Sequence, residues 1–312
     1  MEVLLQMGLL VLGFVMLIKG ADWFVDGVSG IAEKFGIPQL VIGLTIVAMG
    51  TSAPEAAVSI TAAMKGNAGI TIGNVVGSNI MNVLVILGIT SVITAIAVQK
   101  STIRIELPFM IGVSAVLLVC GMSGGMITRV EGVLLWGFFL VYLGYLFQAA
   151  KQGMAEQESE EEKQERMGKL LLTGLIGMVL IIVGSDVTVD AANRLAAIFG
   201  MSERLIGLTI VAFGTSLPEL VTSVIAARKG KADIAVGNIV GSNIFNILFV
   251  VGTTALIVPV PFALEFLVDG VVAILAGILL WVCVFRKMRL ERFGGVVMLV
   301  GYLVYFGYLL VK

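Results

Sequence analysis

The sequence predicts an all-α integral membrane protein whose ten transmembrane helices form two inverted-topology five-helix repeats. Three observations predict this fold: an apolar composition, ten apolar segments of membrane-spanning length, and an internal repeat at a fixed offset. The chain has 312 residues, of which 59% are hydrophobic and only 13% charged. Soluble proteins carry about 25% charged residues. The mean hydropathy is +1.08, and apolar runs of about 17–25 residues can each cross a bilayer as a helix.

The composition also excludes several classes of function. The net charge is −1, so the chain lacks the basic surplus of nucleic-acid-binding proteins. It has no histidine, which removes the residue best suited to proton relay and the commonest transition-metal ligand. Cys120 and Cys283 lie in apolar runs and are interpreted as buried hydrophobic residues rather than a disulfide or metal pair. We expect no cofactor and no obligate protein partner, only the lipid bilayer.

The ten apolar segments are read in order along the chain. They cover residues 3–20, 40–64, 70–98, 107–122, 131–150, 170–187, 205–228, 234–257, 266–285 and 295–311. The opening MEVLLQ lacks the positive start of a signal peptide, so the first segment is expected to be a retained helix. The third segment is too long for one straight span, and it is expected to tilt or break at GNVVGSN.

One hydrophilic stretch divides the chain. The first five-helix repeat is predicted at 1–150, a cytoplasmic linker at 151–169, and the second repeat at 170–312. The linker contains the acidic run Glu158–Glu162. We interpret this run as a solvated face rather than a calcium sensor, because no loop geometry supports a calcium cage.

The basic residues orient the protein in the membrane. When the connections are placed on alternating sides, fifteen of the twenty lysines and arginines fall on one side. These fifteen are Lys19, Lys34, Lys100, Arg104, Lys151, Lys163, Arg166, Lys169, Arg228, Lys229, Lys231, Arg286, Lys287, Arg289 and Arg292. The positive-inside rule places that side in the cytoplasm. The sequence therefore predicts a plasma-membrane protein with both termini outside and the central loop in the cytoplasm.

An internal repeat connects the two halves. GLTIVAMGTSAPEAAVSI begins at Gly43 and GLTIVAFGTSLPELVTSV at Gly207, and twelve of eighteen positions match at an offset of 164. GNVVGSNIMNVLVILG at Gly73 and GNIVGSNIFNILFVVG at Gly237 match at ten of sixteen positions with the same offset. Because each unit has five helices, an odd number, the second copy enters the membrane from the opposite side. Inverted repeats with interrupted helices are the sequence signature of secondary transporters.

Weaker echoes of the repeat precede these motifs. Asp22 and Asp26 align with Asp186 and Asp190 at the same offset. All four are expected near helix ends, where structural or interfacial roles are favoured.

The GTSAPE motif predicts a helix interruption that exposes oxygen ligands. Pro54 cannot donate an amide hydrogen bond and its ring clashes with the carbonyl of Gly50, so the helix should kink or unwind near residues 48–54. Freed carbonyls inside a membrane are tolerated only where protein, water or a ligand satisfies them. The motif adds hydroxyls and a carboxylate from Thr51, Ser52 and Glu55, and GTSLPE repeats this set as Thr215, Ser216 and Glu219. Hard oxygen donors of this kind suit sodium and calcium rather than soft metals.

The two glutamates require positive charge that the motifs do not contain. One ionised side chain at mid-bilayer costs about 2.5–3.5 kcal/mol on insertion scales. No lysine or arginine lies in either motif. The compensating charge must therefore come from bound cations or protons, and two carboxylates match one Ca²⁺ or the sodium ions that replace it.

The GSN motifs supply further neutral oxygens. Ser78 and Asn82 lie four residues apart on one helical face, as do Ser242 and Asn246. Asn79 and Asn243 follow the serines directly, while Asn74 and Asn238 precede them by four residues and could share that face. Glycine and proline in a membrane helix often serve packing alone. The duplication of glutamate, hydroxyl and asparagine together favours a binding site.

With these motifs in hand, the chain resembles the calcium/cation antiporter superfamily, and most closely the prokaryotic sodium/calcium exchangers. The paired GTSAPE…GNVVGSN and GTSLPE…GNIVGSN motifs look like the two α-repeats of that family, and the resemblance covers essentially the whole chain. It implies four central cation sites formed by broken second, third, seventh and eighth helices. The ligands that it implies are Glu55, Glu219, Thr51, Ser52, Thr215, Ser216, Ser78, Ser242, Asn82, Asn246 and the carbonyls of Ala48 and Ala212.

One position varies within the family. Some members have Asp where this chain has Asn246, and in potassium-dependent members the acidic residue is linked to potassium. Asn246 therefore favours potassium independence.

The predicted function is exchange of Na⁺ for Ca²⁺ by alternating access, with both ions competing for ligands around Glu55 and Glu219. The resemblance also implies that the first and sixth helices slide past the rest of the bundle. The nearest alternative is a proton/calcium antiporter on the same scaffold. A cation channel and an intramembrane hydrolase using two carboxylates are further alternatives. The sequence has no HExxH motif and no Ser–His pair, so it is not expected to be an enzyme.

Overall fold

The computed structural model describes residues 2–156, 167–200 and 212–311, which are mostly helical. The helices of the first half are α1 (Glu2–Phe35), α2 (Gln39–Ile42), α3 (Ala48–Thr51), α4 (Ala53–Met64), α5 (Ile70–Met81), α6 (Gly88–Ile93), α7 (Leu107–Gly124) and α8 (Arg129–Glu156). Those of the second half are α9 (Met167–Ile198), α10 (Ala212–Gly214), α11 (Leu217–Arg228), α12 (Ala232–Phe245), α13 (Gly252–Ile257), α14 (Phe266–Phe285) and α15 (Arg292–Val311). Stretches of π-helix cover Gly43–Val47, Asn82–Leu87, Thr102–Glu106 and Asn246–Val251, and two-residue strands form β1 (Ile96–Ala97), β2 (Met126–Ile127), β3 (Val260–Pro261) and β4 (Arg289–Leu290).

The helices confirm a multi-pass membrane protein. The described residues contain eight helices long and apolar enough to cross a membrane, and one bent helix pair that can serve as a ninth span. The predicted segment 205–228 begins within residues 201–211, which lie outside the described part, so the count of ten helices stays a prediction. Large apolar side chains such as Leu4, Leu140 and Leu303 are 76%, 60% and 66% exposed, which is the surface that a helix presents to lipid.

Two predicted segments end too early. Segment 3–20 belongs to α1, which continues to Phe35, and segment 170–187 belongs to α9, which continues to Ile198. Hydropathy falls where charged residues begin, but charge does not stop a helix. Both helices end only at glycines with positive φ, Gly36 at 66° and Gly200 at 81°, a conformation that glycine adopts without strain.

The longer helices change the position of several charged residues. Asp22 and Asp26 were expected near a helix end but lie inside α1, and Asp186 and Asp190 lie inside α9. Lys19, which was expected in a connection, is also part of α1. Of these side chains, Asp22 and Asp26 contact Lys229, whereas Lys19, Asp186 and Asp190 are exposed.

The predicted linker 151–169 is partly helical. The α8 helix runs through Lys151 to Glu156, and α9 begins at Met167. The acidic run Glu158–Glu162 lies outside the described residues.

The GTSAPE motif bends the second membrane span, as predicted. The α3 helix ends at Thr51, Ser52 has φ −86° and ψ 8°, and α4 begins with Pro54 in its first turn. The two parts, Gln39–Thr51 and Ala53–Met64, are bent by 48°. The bend follows from the proline, which lacks the amide hydrogen that would continue the helix. It places the start of α4 in the interior of the bundle.

The third predicted segment does not break at GNVVGSN. Residues Ile70–Ile93 form one span, and the α-helical pattern changes only after the motif, in the π-helical stretch Asn82–Leu87. The second half shows the same change at Asn246–Val251. Such π-stretches occur often at functional sites, and here they begin at the two asparagines that were predicted as ligands.

Short β-bridges join the two halves at two places. Strand β1 pairs antiparallel with β4, with Ile96 opposite Leu290, and β2 pairs antiparallel with β3, with Ile127 opposite Val260. Ile96 and Val260 correspond at the offset of the repeat, whereas the separation of Ile127 and Leu290 falls short of that offset by one position. Each half therefore makes the same contact with the other, and the offset shortens slightly in the later helices.

Glycines allow α1 and α9 to pack with their backbones in contact. A Cβ atom added at Gly13 would lie 2.9 Å from the carbonyl oxygen of Gly184, and one at Gly20 would lie 2.8 Å from that of Gly177. A Cβ atom at Gly27 would lie 2.5 Å from the backbone nitrogen of Gly174. We call these glycines the α1–α9 seam. In a membrane, such close approach is a principal source of helix association.

The close packing at the seam predicts that adding a single methyl group there would force the two helices apart. In Gly177→Ala the new Cβ atom would lie 2.4 Å from the backbone nitrogen of Phe24, which a rigid backbone cannot accommodate. We expect a destabilisation of about 1–3 kcal/mol, measured as a lower melting temperature of the purified protein in detergent.

Gly144→Ala is the matched control. This glycine also lies within a membrane helix, and an added Cβ atom has no neighbour within 4 Å in the described part of the chain. Alanine is the better helix former, so the control should melt at the wild-type temperature or above. Equal melting of the two variants would contradict the seam.

Candidate cation-binding site

Two buried glutamates begin two corresponding helices. Glu55 lies in the first turn of α4 and Glu219 in the first turn of α11, and each is 1% exposed. Ser52 and Ser216 cap these helices, and a proline occupies the first turn of each. Both carboxylates therefore lie at helix N-termini, where the helix dipole favours negative charge.

The Glu219 carboxylate lies beside the helix start that carries Glu55. The Ser52 hydroxyl, three residues before Glu55, donates a hydrogen bond of 2.8 Å to Oε1 of Glu219. Thr215 lies beside the Glu55 carboxylate. However, neither Glu55 oxygen, nor Oε2 of Glu219, accepts a hydrogen bond of normal geometry from any described residue. Both side chains are buried in the interior, and their meeting as cation ligands stays a prediction.

Other unpaired oxygen atoms border the same helix starts. Among the described residues, Ser216 Oγ, Asn82 Oδ1 and Asn246 Oδ1 are buried without a hydrogen-bond partner. A buried polar atom left unpaired costs about 1–3 kcal/mol. The predicted ligands thus include several hard oxygen atoms that no described residue satisfies, and hard oxygens of this kind suit a cation such as Ca²⁺.

Four asparagines bridge the two helices that carry the GSN motifs. The side-chain amide of Asn79 donates to the main-chain oxygen of Asn243 at 3.1 Å, and that of Asn243 donates to the main-chain oxygen of Asn79 at 3.1 Å. Asn82 donates to Oδ1 of Asn243 at 3.0 Å, and Asn246 donates to Oδ1 of Asn79 at 3.1 Å. The network makes each contact twice, once from each half, at the offset found in the sequence.

The predicted backbone ligand of the first half already has protein partners. The carbonyl oxygen of Ala48 accepts hydrogen bonds from the Ser242 hydroxyl at 3.3 Å and from the main-chain nitrogen of Ser52 at 3.0 Å. The Thr51 hydroxyl lies 3.4 Å from this oxygen as well. Ala212, its counterpart, is the first residue of α10. A cation at Ala48 would therefore share an oxygen that also holds the two halves together.

Two further hydroxyl groups predicted as ligands belong to Thr51 and Ser78. Thr51 Oγ1 lies 2.9 Å from Oδ1 of Asn238 and 3.0 Å from the carbonyl oxygen of Val47, so its one hydrogen goes to one of these acceptors. Ser78 is 5% exposed and lies on the buried side of α5. The lone pairs of these hydroxyls remain able to accept a cation.

A second layer of asparagines supports the helix starts, and its role was only partly predicted. Asn74 donates to the main-chain oxygen of Glu55 at 3.2 Å and to Ser59 at 2.9 Å. Asn238 donates in the same way to the main-chain oxygen of Glu219 at 3.4 Å and to Ser223 at 3.0 Å. The duplicated GN at the start of each GSN motif was the available signal, but its partner serines lie on another helix.

A third buried carboxyl group, that of Glu106, was not predicted from the sequence. Glu106 is 2% exposed, and the Tyr145 hydroxyl donates a hydrogen bond to its Oε1 atom. Asp269, near the corresponding position of the second half, likewise accepts a hydrogen bond from Tyr305 at 2.9 Å. Each acid lies beside tyrosines of another helix rather than at the helix starts of the main site. Little in the sequence pointed to this carboxyl, because Glu106 lies just before a predicted apolar segment.

The donor set limits the metals that the main site can hold. No group of three or more His, Cys, Asp or Glu side chains that could bind a metal occurs in residues 2–156, 167–200 and 212–311. A cation at this site would be bound by two carboxylates and neutral oxygens. That combination suits Na⁺ and Ca²⁺ and gives no soft ligand for transition metals.

Comparison with known proteins agrees with this chemistry. The family described as sodium/calcium exchanger protein matches residues 5–148 and again residues 169–311. The chain is 43% identical to the putative antiporter CaxA of Alkalimonas amylolytica, over 79% of each chain. It is 32% identical to the sodium/calcium exchanger MaX1 of Methanosarcina acetivorans, over 95% of this chain and 96% of that one.

A solved structure of similar fold is also known. The sodium-calcium exchanger NCX_Mj, soaked with zero Na⁺ and Ca²⁺, superposes with a TM-score of 0.86 and 31% sequence identity. The match covers 98% of this chain and 99% of that chain.

The buried Glu106 contact predicts a measurable loss of stability. Tyr145→Phe removes the hydroxyl that donates to the Glu106 carboxyl and leaves that oxygen without a described partner. We expect a loss of about 1–3 kcal/mol, seen as a lower melting temperature in detergent. Tyr302→Phe is the matched control, because no hydrogen bond of the Tyr302 hydroxyl is found in the described residues, and it should melt like the wild type. Unchanged melting of Tyr145→Phe would show that the contact contributes nothing.

Proposed function

Because the chain belongs to the sodium/calcium exchanger protein family, we propose that it exchanges Na⁺ for Ca²⁺ across the membrane by alternating access. The observation that supports this proposal is the pair of buried carboxylates, Glu55 and Glu219, whose oxygens are largely unpaired and have no basic partner in the described residues. Two negative charges match one Ca²⁺ or the sodium ions that replace it. Both ions would then compete for the same oxygens.

The charge of the site explains why exchange would be coupled. With its ions removed, the site leaves two carboxylates unneutralised in the membrane interior, and each ionised group costs about 2.5–3.5 kcal/mol on insertion scales. A conformational change with an empty site is therefore disfavoured. Transport in one direction then requires a counter-ion for the return step.

The repeated contacts support two inverted-topology halves, 1–150 and 170–312, joined by the linker 151–169. The Gly13–Gly184 and Gly20–Gly177 contacts, the two β-bridges and the asparagine network occur as pairs at corresponding or nearly corresponding positions of the two halves. Inverted halves that meet at a central site are a common basis for alternating access.

The proposed ligands are the residues predicted from the motifs. They are Glu55, Glu219, Thr51, Ser52, Thr215, Ser216, Ser78, Ser242, Asn82, Asn246 and the carbonyls of Ala48 and Ala212. Ala48 and Ser242 would act as ligands while they also hydrogen-bond each other, so binding at this point would be sensitive to the contact between the halves.

The decisive measurement is ion flux in proteoliposomes. Vesicles loaded with Na⁺ and diluted into Na⁺-free buffer should accumulate ⁴⁵Ca²⁺ above its external concentration, because outward Na⁺ movement drives Ca²⁺ inward. A channel would only equilibrate Ca²⁺, and a proton/calcium antiporter would respond to a pH gradient imposed without Na⁺. Adding K⁺ should leave the flux unchanged, since Asn246 replaces the acidic residue of potassium-dependent relatives. Uptake that needs no Na⁺ gradient would refute Na⁺/Ca²⁺ exchange.

The two glutamates should be individually essential. Glu55→Gln and Glu219→Gln each keep the shape of the side chain but remove one negative charge, so Ca²⁺ binding should lose its charge match and exchange should be abolished. Glu265→Gln, a change at an exposed position, is the control and should transport normally. Exchange retained by either buried variant would remove that residue from the site.

The proposed orientation can be tested by reporter fusions in a bacterial host. Alkaline phosphatase fused after Lys312 should be active, because the enzyme folds only outside the cytoplasm and the basic residues place the C-terminus there. The same enzyme inserted into the 151–169 linker should be inactive. The reverse pattern would invert the proposed topology.

A further inference from the structure

The four bridging asparagines determine which atoms of two proposed ligands face the site. An asparagine side chain carries an oxygen and an NH₂ group of nearly equal size, and either can point in a given direction. Only the oxygen can bind a cation. The usefulness of Asn82 and Asn246 as ligands therefore depends on what holds their amides in one orientation.

Two main-chain carbonyls settle this orientation. The amide atom of Asn79 that lies 3.1 Å from the main-chain oxygen of Asn243 must be the NH₂ group, because a carbonyl can only accept. The other amide atom of Asn79 is then oxygen, so the Asn246 atom 3.1 Å from it must be NH₂. Oδ1 of Asn246 consequently points away from the network, and it has no partner among the described residues.

The corresponding contacts fix the amide orientations of Asn243 and Asn82 in the same way. Asn243 donates to the main-chain oxygen of Asn79 at 3.1 Å, so its Oδ1 atom accepts from Asn82 at 3.0 Å. Oδ1 of Asn82 is left buried and without a described partner. All four side chains are at most 3% exposed, so water does not compete for these bonds.

We propose that Asn79 and Asn243 are positioning residues that hold Asn246 and Asn82 with their oxygens directed toward the cation. They do not bind the ion themselves. Without them each ligand amide could rotate and present NH₂, which repels a cation. The proposal rests on the proposed cation site and adds the reason why a neutral amide can serve there in place of a carboxylate.

The proposal predicts a specific rescue. Asn79→Leu has a similar shape but cannot accept from Asn246, so the Asn246 amide loses its fixed orientation. Loss of a residue that orients a metal ligand typically lowers affinity about 10–100-fold, and we expect this loss in ⁴⁵Ca²⁺ binding to purified protein. In the Asn246→Asp background the two ligand oxygens are equivalent. Asn79→Leu should then change affinity by less than about 3-fold relative to Asn246→Asp alone.

Controls separate this role from a structural one. Thr90→Val removes a buried hydroxyl from the same membrane span, where among the described residues it bonds the carbonyl of Ile86 alone, and it should bind Ca²⁺ like the wild type. If Asn79→Leu is not monodisperse, Asn243→Leu with and without Asn82→Asp gives the same comparison in the other half. An equal affinity loss in both backgrounds would overturn the positioning role. Absence of Ca²⁺ binding by the wild type would instead refute the proposed cation site.

A second inference comes from ion pairs at one end of the bundle. Lys229 follows α11, and its Nζ atom lies 2.7 Å from Oδ1 of Asp22 and 2.6 Å from Oδ1 of Asp26, both on α1. It also donates to the main-chain oxygen of Asp22 at 2.9 Å. Lys229 thereby connects α1 to the segment that follows α11. We call these three residues the first latch.

The sequence repeat places the same three residue types at the opposite end. Lys65 follows α4 and corresponds to Lys229 at the offset of the repeat, just as Asp186 and Asp190 on α9 correspond to Asp22 and Asp26. We call Lys65, Asp186 and Asp190 the second latch. No ion pair joins them in the described part of the chain, and Lys65 is exposed.

The helices near the first latch are also tightly packed. Near the first latch, α12 lies against the second span so closely that a Cβ atom at Gly237 would lie 3.0 Å from Cα of Gly43. Asn238 on this side is fully buried. Its counterpart near the second latch, Asn74, is partly exposed. Among the described residues, the end that carries the first latch is therefore tightly packed.

We infer that the two latches alternate. When α1 and α9 move together along the bundle, the first latch opens and Lys65 pairs with Asp186 and Asp190, so each end is fastened in turn. This inference rests on the alternating-access proposal. It assigns to the charged residues inside α1 and α9 a role in setting the balance between the two states.

Cysteine pairs can detect the exchange of latches. In a background with Cys120 and Cys283 changed to alanine, Asp22→Cys with Lys229→Cys and Asp186→Cys with Lys65→Cys are treated with a short bifunctional thiol reagent. Each pair should cross-link, and each cross-link should stop Na⁺-driven ⁴⁵Ca²⁺ uptake. Lys229→Ala should raise cross-linking of the Asp186–Lys65 pair at least about 3-fold by releasing the first latch.

Two results would overturn the latch inference. One is failure of the Asp186–Lys65 pair to cross-link in a background that transports Ca²⁺. The other is cross-linking that leaves uptake unchanged. Lys19→Ala, a change of a basic residue on α1 outside both latches, is the control and should not alter cross-linking. Absence of uptake in the parent background would count against the proposed function and not against the latch.

Discussion

The structure depends on one constraint: two carboxylates are buried together in a membrane protein with no basic residue of the described chain beside them. Such a pair is unfavourable unless something positive joins it. The local architecture reduces this cost in several ways. New helices begin after Ser52 and Ser216, so Glu55 and Glu219 lie in first turns, where the helix dipole favours negative charge. The remaining negative charge is the reason why we propose a cation at this place.

The bonds around this site run between the two halves of the protein. Ser52 reaches Glu219, Ser242 reaches the carbonyl of Ala48, and Thr51 reaches Asn238. A cation that competes for any of these oxygens changes a contact between the halves. Under the proposed function, ion binding and the relative position of the halves would therefore be coupled by shared atoms. Coupling of this kind is what a transporter needs, because an ion can shift a conformational equilibrium only through its different affinity for the two states.

Much of this could be predicted from sequence because it depends on local chemistry and duplication. The proline in GTSAPE removes a hydrogen bond wherever the helix lies, so the 48° bend followed from residue type alone. The repeat offset of 164 predicted corresponding motifs in the two halves, and the asparagine network makes each of its contacts twice at that offset. The ends of α1 and α9 were predicted wrongly, because hydropathy stops at charged residues such as Asp22, whereas the helix stops only at Gly36 and Gly200.

The sequence by itself determined the class of membrane protein, the repeat and the types of oxygen ligand, since apolar length, duplication and proline chemistry are properties of the chain. Only the tertiary structure decided which way each asparagine amide points and which latch is closed. Those outcomes depend on partners in the opposite half of the chain, such as Lys229 and Asp22. The sequence alone does not determine the orientation of such a side chain, because the orientation depends on a fixed donor or acceptor that another helix places beside it.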